Sequence, residues 1–158
     1  LWDADLRAAF LGVSRQTSRA DLARAVYEGV AMSARLALET LQTSANVVSD
    51  SIACGGGGFQ SDPWNQIRAD ILGVELRILA AKEPGILGAA TMAAISTGDY
   101  ANFAEAYDAL AVFDRSFTPN SAFKEQYSDL FGLYQEAITL NDDLGKRISG
   151  GSFSTKAE

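Results

Sequence analysis

The sequence predicts an α/β fold in which a few-stranded sheet is flanked by helices, and three observations carry that reading. Apolar and small residues recur at helical spacing over residues 22–41 and again over 123–138. Two shorter segments, 46–54 and 74–79, read as strands from their β-branched content and alternation. The first of these runs into Gly55-Gly56-Gly57-Gly58 and then into a helix start. Strand, helix and strand in succession imply a parallel pair joined by a crossover.

Taken in order, residues 1–17 form an irregular lead-in anchored by Phe10-Leu11-Gly12-Val13. Ser18-Arg19-Ala20-Asp21 resembles a capping box with Asp in the place of Glu. The helix it opens runs to about Gln42, with Leu22, Ala25, Val26, Gly29, Val30, Ser33, Leu36, Ala37 and Leu41 on its packed face. Gly29 inside that helix costs about 1 kcal/mol relative to Ala, which a close helix–backbone contact would justify. After the strand at 46–54 and the glycines, Asp62 is expected as N-cap with Pro63 at the first helical position. That helix buries Trp64, Ile67, Ile71 and Leu72 and stops at Gly73.

A second strand follows at 74–79, and Pro84 opens a helix with an unusually small face that ends at Gly98. Its Gly88, Ala89 and Ala90 are expected to pack closely beside the strand that leads into the glycines. A short helix at 102–110 and an extended stretch at 112–117 precede Pro119-Asn120. The last helix, 121–140, carries Phe123, Tyr127, Leu130, Phe131, Tyr134 and Ile138 as its core stripe. Residues 1–149 are read as one folded unit and 150–158 as a polar, mobile tail. Two or three strands make a thin sheet for so many helices, so part of the sheet or its cover is expected to lie upstream.

Composition narrows the function. Apolar residues make up 47 %, enough for a packed core. Thirteen Lys and Arg against 20 Asp and Glu give a net charge of −7, which disfavours nucleic acid and anionic membrane as partners. The chain has no histidine, excluding His-based triads and His metal sites. Its one cysteine, Cys54, allows no internal disulfide and reads as a small buried thiol. No apolar run reaches 18 residues, and the acidic opening Leu1-Trp2-Asp3-Ala4-Asp5 is neither a signal peptide nor a Met start. A cytoplasmic protein is expected, met here as a processed or excised piece.

The glycine run is the candidate site. Glycine lets backbone amides approach a phosphate or ribose with no side chain in the way. The run ends Phe59-Gln60-Ser61 without the Lys of a Walker loop, and Gln60 stands where a dinucleotide fingerprint needs its third glycine. With Asp62 as cap, a carboxylate takes the place of an anion at the helix start. Phosphate would then lie against the glycines, and ribose or base near Gln60 and Ser61. The residues fit a nucleotide cradle and a turn built only for tight strand–helix packing equally well. Trp64 reads as core rather than as a base-stacking platform. Glu28 reads as a solvated helix residue, with a brace for the glycine turn as the alternative. Asp70 should make a structural ion pair or backbone bond.

Three segments resemble the FGGY carbohydrate kinase family. Gly55-Gly56-Gly57-Gly58-Phe59-Gln60-Ser61-Asp62-Pro63-Trp64-Asn65-Gln66-Ile67-Arg68-Ala69-Asp70 is similar to the family's glycine loop followed by Ser, Trp, Gln-Ile and Ala-Asp. Residues 19–31 resemble its Arg-Ala-hydrophobic-Glu-Gly helix, and Glu83-Pro84-Gly85-Ile86-Leu87-Gly88-Ala89-Ala90 its Leu-Gly-Ala-Ala segment. The order of the three motifs makes the resemblance specific. The resemblance is to the C-terminal domain of xylulokinase-like members.

The resemblance implies part of the C-terminal lobe of a ribonuclease H-like (actin-like ATPase) fold, and ATP with Mg2+ as cofactors. It implies nucleotide contacts through Gly56 and Gly57, with Gly58, Gln60 and Ser61 as the neighbouring binding candidates. Gln60 and Ser61 match positions near ribose and adenine. The family's residue after the glycines corresponds to Phe59 or Gly58, according to the register of the fourth glycine. The resemblance further implies that the catalytic base, the metal-associated carboxylates and most of the sugar site precede Leu1. This chain alone is then expected to be inactive. An exposed sheet edge and apolar face would favour a homodimer. Other readings are another actin-like ATPase lobe and a non-catalytic interaction module.

Overall fold

The computed structural model describes residues 7–150. Five helices and three strands follow one another as α1 (Arg19–Ala45), β1 (Ser51–Cys54), α2 (Asp62–Leu72), β2 (Glu75–Leu79), α3 (Pro84–Thr97), α4 (Phe103–Leu110), β3 (Phe113–Phe117) and α5 (Lys124–Gly150). Short 3-10 turns cover Gly57–Phe59 and Ser121–Phe123. The sheet order is β1-β2-β3. β1 and β2 run parallel with Ser51 opposite Glu75 and Cys54 opposite Ile78, and α2 is their crossover. β3 returns antiparallel to β2, with an irregularity at Ile78/Leu79.

Local chemistry sets the helix ends. Ser18 Oγ accepts from the Asp21 amide at 3.2 Å, and Asp21 Oδ2 accepts from the Ser18 amide at 2.8 Å, so the predicted capping box is formed. At the other end of α1, Asn46 is left-handed (φ 50°), and the Val47 amide reaches Gln42 O at 3.0 Å. This Schellman-type close takes up residues that the sequence assigns to the strand, so β1 begins only at Ser51. Gly73 and Gly98 close α2 and α3 in the left-handed region, as expected.

Two apolar clusters share α2 between them. Ala31 and Met32 of α1, Ile71 of α2, and Tyr127 and Phe131 of α5 make one. Cys54, Ala69, Val74, Leu76 and Ile78 make the other, against one face of the sheet. Burying a large apolar side chain contributes about 1.5–3 kcal/mol, so α2, contributing to both, is the mechanical centre.

Several expectations change. The packed face of α1 is turned from the apolar stripe read in the sequence: Val26 and Val30 are 52 % and 50 % exposed. They line an open groove of about 460 Å³ with Phe10, Leu11, Tyr134 and Ile138. Gly29, on that groove, has no atom within 4 Å of a Cβ position, so no close contact explains it. The covered face instead contains Glu28 and Arg35, whose polar groups are satisfied across the interface. Tyr127 Oη donates to Glu28 Oε1 at 3.0 Å, and Arg24 Nη2 donates to Tyr127 Oη at 3.0 Å. Arg35 lies 4.2 Å over the Phe131 ring and donates to Ile71 O at 3.4 Å. Glu28 therefore braces α1 against α5, not the glycine turn.

Gly88, Ala89 and Ala90 are exposed, and α3 packs on α4 rather than beside β1. α5 continues ten residues beyond the expected end near Leu140, to Gly150. The tail predicted at 150–158 lies outside the described residues beyond Gly150.

Candidate functional site

The glycine turn leaves the carboxyl end of β1, beside the parallel end of β2 and the start of α3. In open α/β sheets this rim is where ligands bind. Its glycines divide by role. A Cβ on Gly55 would stand 2.6 Å from Pro84 Cγ and 3.3 Å from Leu79 Cδ1, so Gly55 lets β1 pass the first turn of α3. Gly56 has φ 92° and ψ −179°, a conformation confined to glycine. A Cβ on Gly57 would meet nothing within 4 Å, and Gly57 and Gly58 face solvent.

Side chains from α2 and β3 hold the turn by its carbonyl oxygens. Arg68 Nη1 donates to Gly58 O at 2.6 Å. Asn65, fully buried, donates through Nδ2 to Phe59 O at 2.8 Å, and Arg115 Nη2 reaches the same oxygen at 3.5 Å. The Phe59 amide closes the turn onto Gly56 O at 3.1 Å. In a trans peptide the C=O and N–H point oppositely, so the Gln60 amide faces away from Asn65 and Arg115. The Arg68 guanidinium carbon lies 3.5 Å from the Trp64 ring centroid and 4.5 Å from that of Phe59. Trp64 is half-buried, with Tyr27 of α1 at 5.2 Å on its ring; Trp64 Nε1 is buried without a hydrogen-bond partner.

The start of α2 differs from its expected form. Ser61, not Asp62, is the N-cap; its side chain makes no capping bond, and Pro63 falls at the second helical position. The Asp62 carboxylate turns outward to Arg115, Oδ1 to Nη1 2.6 Å. It does not occupy the helix-start amides, because β3 offers a closer cation. Behind the turn, burial pushes the Cys54 thiol up, opposed by the Arg68 charge, and burial draws the Arg68 guanidinium down. Asp70, buried one helical turn further on, accepts from Gln66 Nε2 and from the Asn120 amide, both at 2.8 Å, fastening α2 to the chain after β3.

Gly56, Gly57, Gly58, Gln60 and Ser61 thus lie together along one exposed turn. Arg68, Asn65 and Arg115, which shape it, carry no marker as site residues in the sequence. The i, i+3 placement of Asn65 and Arg68 on α2 is the one local signal that both reach the same side. Arg115 arrives from 53 residues beyond Asp62. Among the described residues no group of three Cys, Asp or Glu side chains could hold a metal ion, and no helix is long and apolar enough to cross a membrane.

Solved structures give this architecture its class. It matches the ligand-bound xylulose kinase from Lactobacillus acidophilus with a TM-score of 0.81 and 29 % identity, over 88 % of this chain and 28 % of that one. The gluconate kinase from the same organism matches with a TM-score of 0.80 and 29 % identity, over 91 % and 28 %. The chain is a portion of a ribonuclease H-like, actin-like ATPase fold of the kind found in sugar kinases. The family described as the FGGY family of carbohydrate kinases, C-terminal domain, matches residues 1–97, and the chain belongs to that family. The xylulose kinase of Staphylococcus epidermidis is 32 % identical over 146 residues, 90 % of this chain and 29 % of that protein. The chain spans under a third of the length of the curated relatives it matches.

Proposed function

We propose that residues 1–149 are the nucleotide-binding portion of an ATP-dependent carbohydrate kinase that phosphorylates a sugar or polyol hydroxyl, with 150–158 as a tail. The observation that carries this reading is the orientation of the glycine turn. Its carbonyls at Gly58 and Phe59 are drawn inward by Arg68, Asn65 and Arg115, leaving the turn exposed at Gly57 and Gly58 and free of neighbouring side chains at Gly57, while Arg68 Nη2 lies 3.9 Å from the Cβ position of Gly58. The Phe59 amide is taken by Gly56 O, so the amide this presents is that of Gln60, which with the bare backbone of Gly57 suits nucleotide oxygens. The packing explanation of the glycines accounts for Gly55 and stops there.

In this reading Gly56, Gly57 and Gly58 lie against the phosphates, and Gln60 and Ser61 face ribose and adenine. With Asp62 held by Arg115, the amides at the start of α2 add positive potential on the same side. Bound ATP would supply the transferable phosphoryl group, and the residues here bind and orient it. The Mg2+ ligands, the base for the acceptor hydroxyl and most sugar contacts we assign to the rest of the kinase, so the chain alone is inactive. An acidic chain with a buried thiol suits the cytoplasm. The unpaired edge of β1 and the α1 groove are surfaces through which a homodimer could form.

The test is a titration of the chain with ADP, followed through amide resonances. Shifts confined to residues 56–61 and their neighbours are expected. No shift there at millimolar ADP refutes the nucleotide reading, and sugar-dependent ATP turnover by the chain refutes its inactivity.

A further inference from the structure

We infer that Arg68 is a positioning residue for nucleotide binding, one that sets the glycine turn in its binding shape from behind; the inference rests on the nucleotide reading above. Its guanidinium lies over the rings of Trp64 and Phe59, and one nitrogen, Nη1, serves both Gly58 O at 2.6 Å and Asn65 Oδ1 at 3.2 Å. Asn65 in turn holds Phe59 O through its other end. Two successive carbonyls are therefore fixed by one rigid unit, and the amide that follows them is fixed with them.

A turn of four glycines is otherwise costly to order, because glycine has the largest conformational freedom to lose. Ordering it before ligand arrives removes that cost from binding. Among the described residues no carboxylate forms an ion pair with Arg68. Its positive charge is thus not neutralised locally, in a chain of net charge −7. That charge stands on the side of the turn away from the open face, so it favours an anion there through the field rather than by contact. A lysine would keep the charge but could not contact both rings while bonding Gly58 O and Asn65 Oδ1 in the same way, because only Arg has the delocalised, multi-donor fork.

The experiment uses the whole chain in a Trp2→Phe background, leaving Trp64 as the single indole emitter. ADP and, separately, adenosine are titrated against the parent, R68M and R68K, and amide hydrogen exchange at residues 57–60 is measured without ligand. The expected result is at least a tenfold loss of ADP affinity in R68M. Adenosine should weaken in parallel, and exchange at Phe59 should quicken before any ligand is added. R68K should stay at least fivefold weaker than the parent. Should R68M fail to fold, R68K carries the same test. ADP affinity in R68M within twofold of the parent overturns the inference, and so does full recovery in R68K, which would assign a bare charge instead of a positioning role. A parent that does not bind ADP sinks the nucleotide reading and this inference together, whereas a binding parent with an indifferent R68M sinks the inference alone.

Discussion

Replacing Gly55 by Ala separates the packing role of the glycine turn from its open face. The added Cβ would stand 2.6 Å from Pro84 Cγ, about 1 Å inside ordinary carbon–carbon contact. Leu79 Cδ1, at 3.3 Å, can yield by a rotamer change. Pro84 cannot, because its ring is closed onto the backbone and it is the first residue of α3. Relief requires β1 and the start of α3 to part. Overpacking of this kind costs about 1–3 kcal/mol, and the stiffer unfolded chain returns about 0.4–1 kcal/mol. The net expectation is a loss of about 1–2 kcal/mol. Gly57→Ala is the control: its Cβ meets nothing within 4 Å, so only the stiffer unfolded chain acts and stability should rise by about 0.4–1 kcal/mol. That methyl would stand on the open face, however, and ADP affinity should fall. Urea unfolding of both variants, at unchanged m-value, reads the difference. Equal stability for Gly55→Ala and the parent, or a larger loss for Gly57→Ala, refutes the division of roles.

Three further outcomes follow from buried groups. Asp70→Ala strips the acceptor from the Asn120 amide and one of two acceptors from Gln66 Nε2, which keeps Thr118 O; losing these bonds to a charged acceptor costs about 1.5–3 kcal/mol, and a thermal midpoint unchanged from the parent would contradict this. The Cys54 thiol is raised above its ordinary 9.0 chiefly by burial, and the Tyr127 hydroxyl above 10.0 chiefly by burial. For a group raised on folding, the stabilisation is complete below the unfolded value and is lost as pH climbs through the folded one. Stability measured by urea should therefore hold to pH 9.0 and decline above it, more steeply beyond 10.0. Thiol alkylation at pH 8 should be much slower in the native chain than in the unfolded one, and equal rates would show Cys54 to be accessible.

What was legible in the sequence is what neighbours in sequence decide. Ser18 and Asp21 form their box within four residues, and Pro84 and Gly98 bound α3 by backbone geometry that needs no partner. The start of β1 was not legible, since Asn46 and Val47 could serve equally as strand residues or as the close of α1. Only the left-handed Asn46 decides. The packed face of α1 misled for a different reason. Hydrophobic periodicity marks apolar residues wherever they point, whereas Glu28 and Arg35 are covered because Tyr127 and two backbone carbonyls satisfy them. A buried polar residue costs little when its partners are in place, and those partners lie 36 residues away on α2 and 92 to 99 residues away on α5.

The same limit applies at the candidate site, and it shows why a glycine run alone leaves two readings open. Glycine permits close approach on either side of the chain; it does not say which side carries N–H and which carries C=O. That choice is made by donors elsewhere. Arg68 and Asn65 on α2 and Arg115 on β3 claim the carbonyls of Gly58 and Phe59; the Phe59 amide then closes the turn onto Gly56 O and the Gln60 amide is committed to the other side. Asp62 is drawn off the helix start by the same Arg115, so one arginine both orients a peptide and removes a competing carboxylate. Polarity of the turn is thus a tertiary property, set by three side chains that an inspection of the glycines never reaches. A variant that frees those carbonyls would leave every glycine in place and still change what the turn offers a ligand.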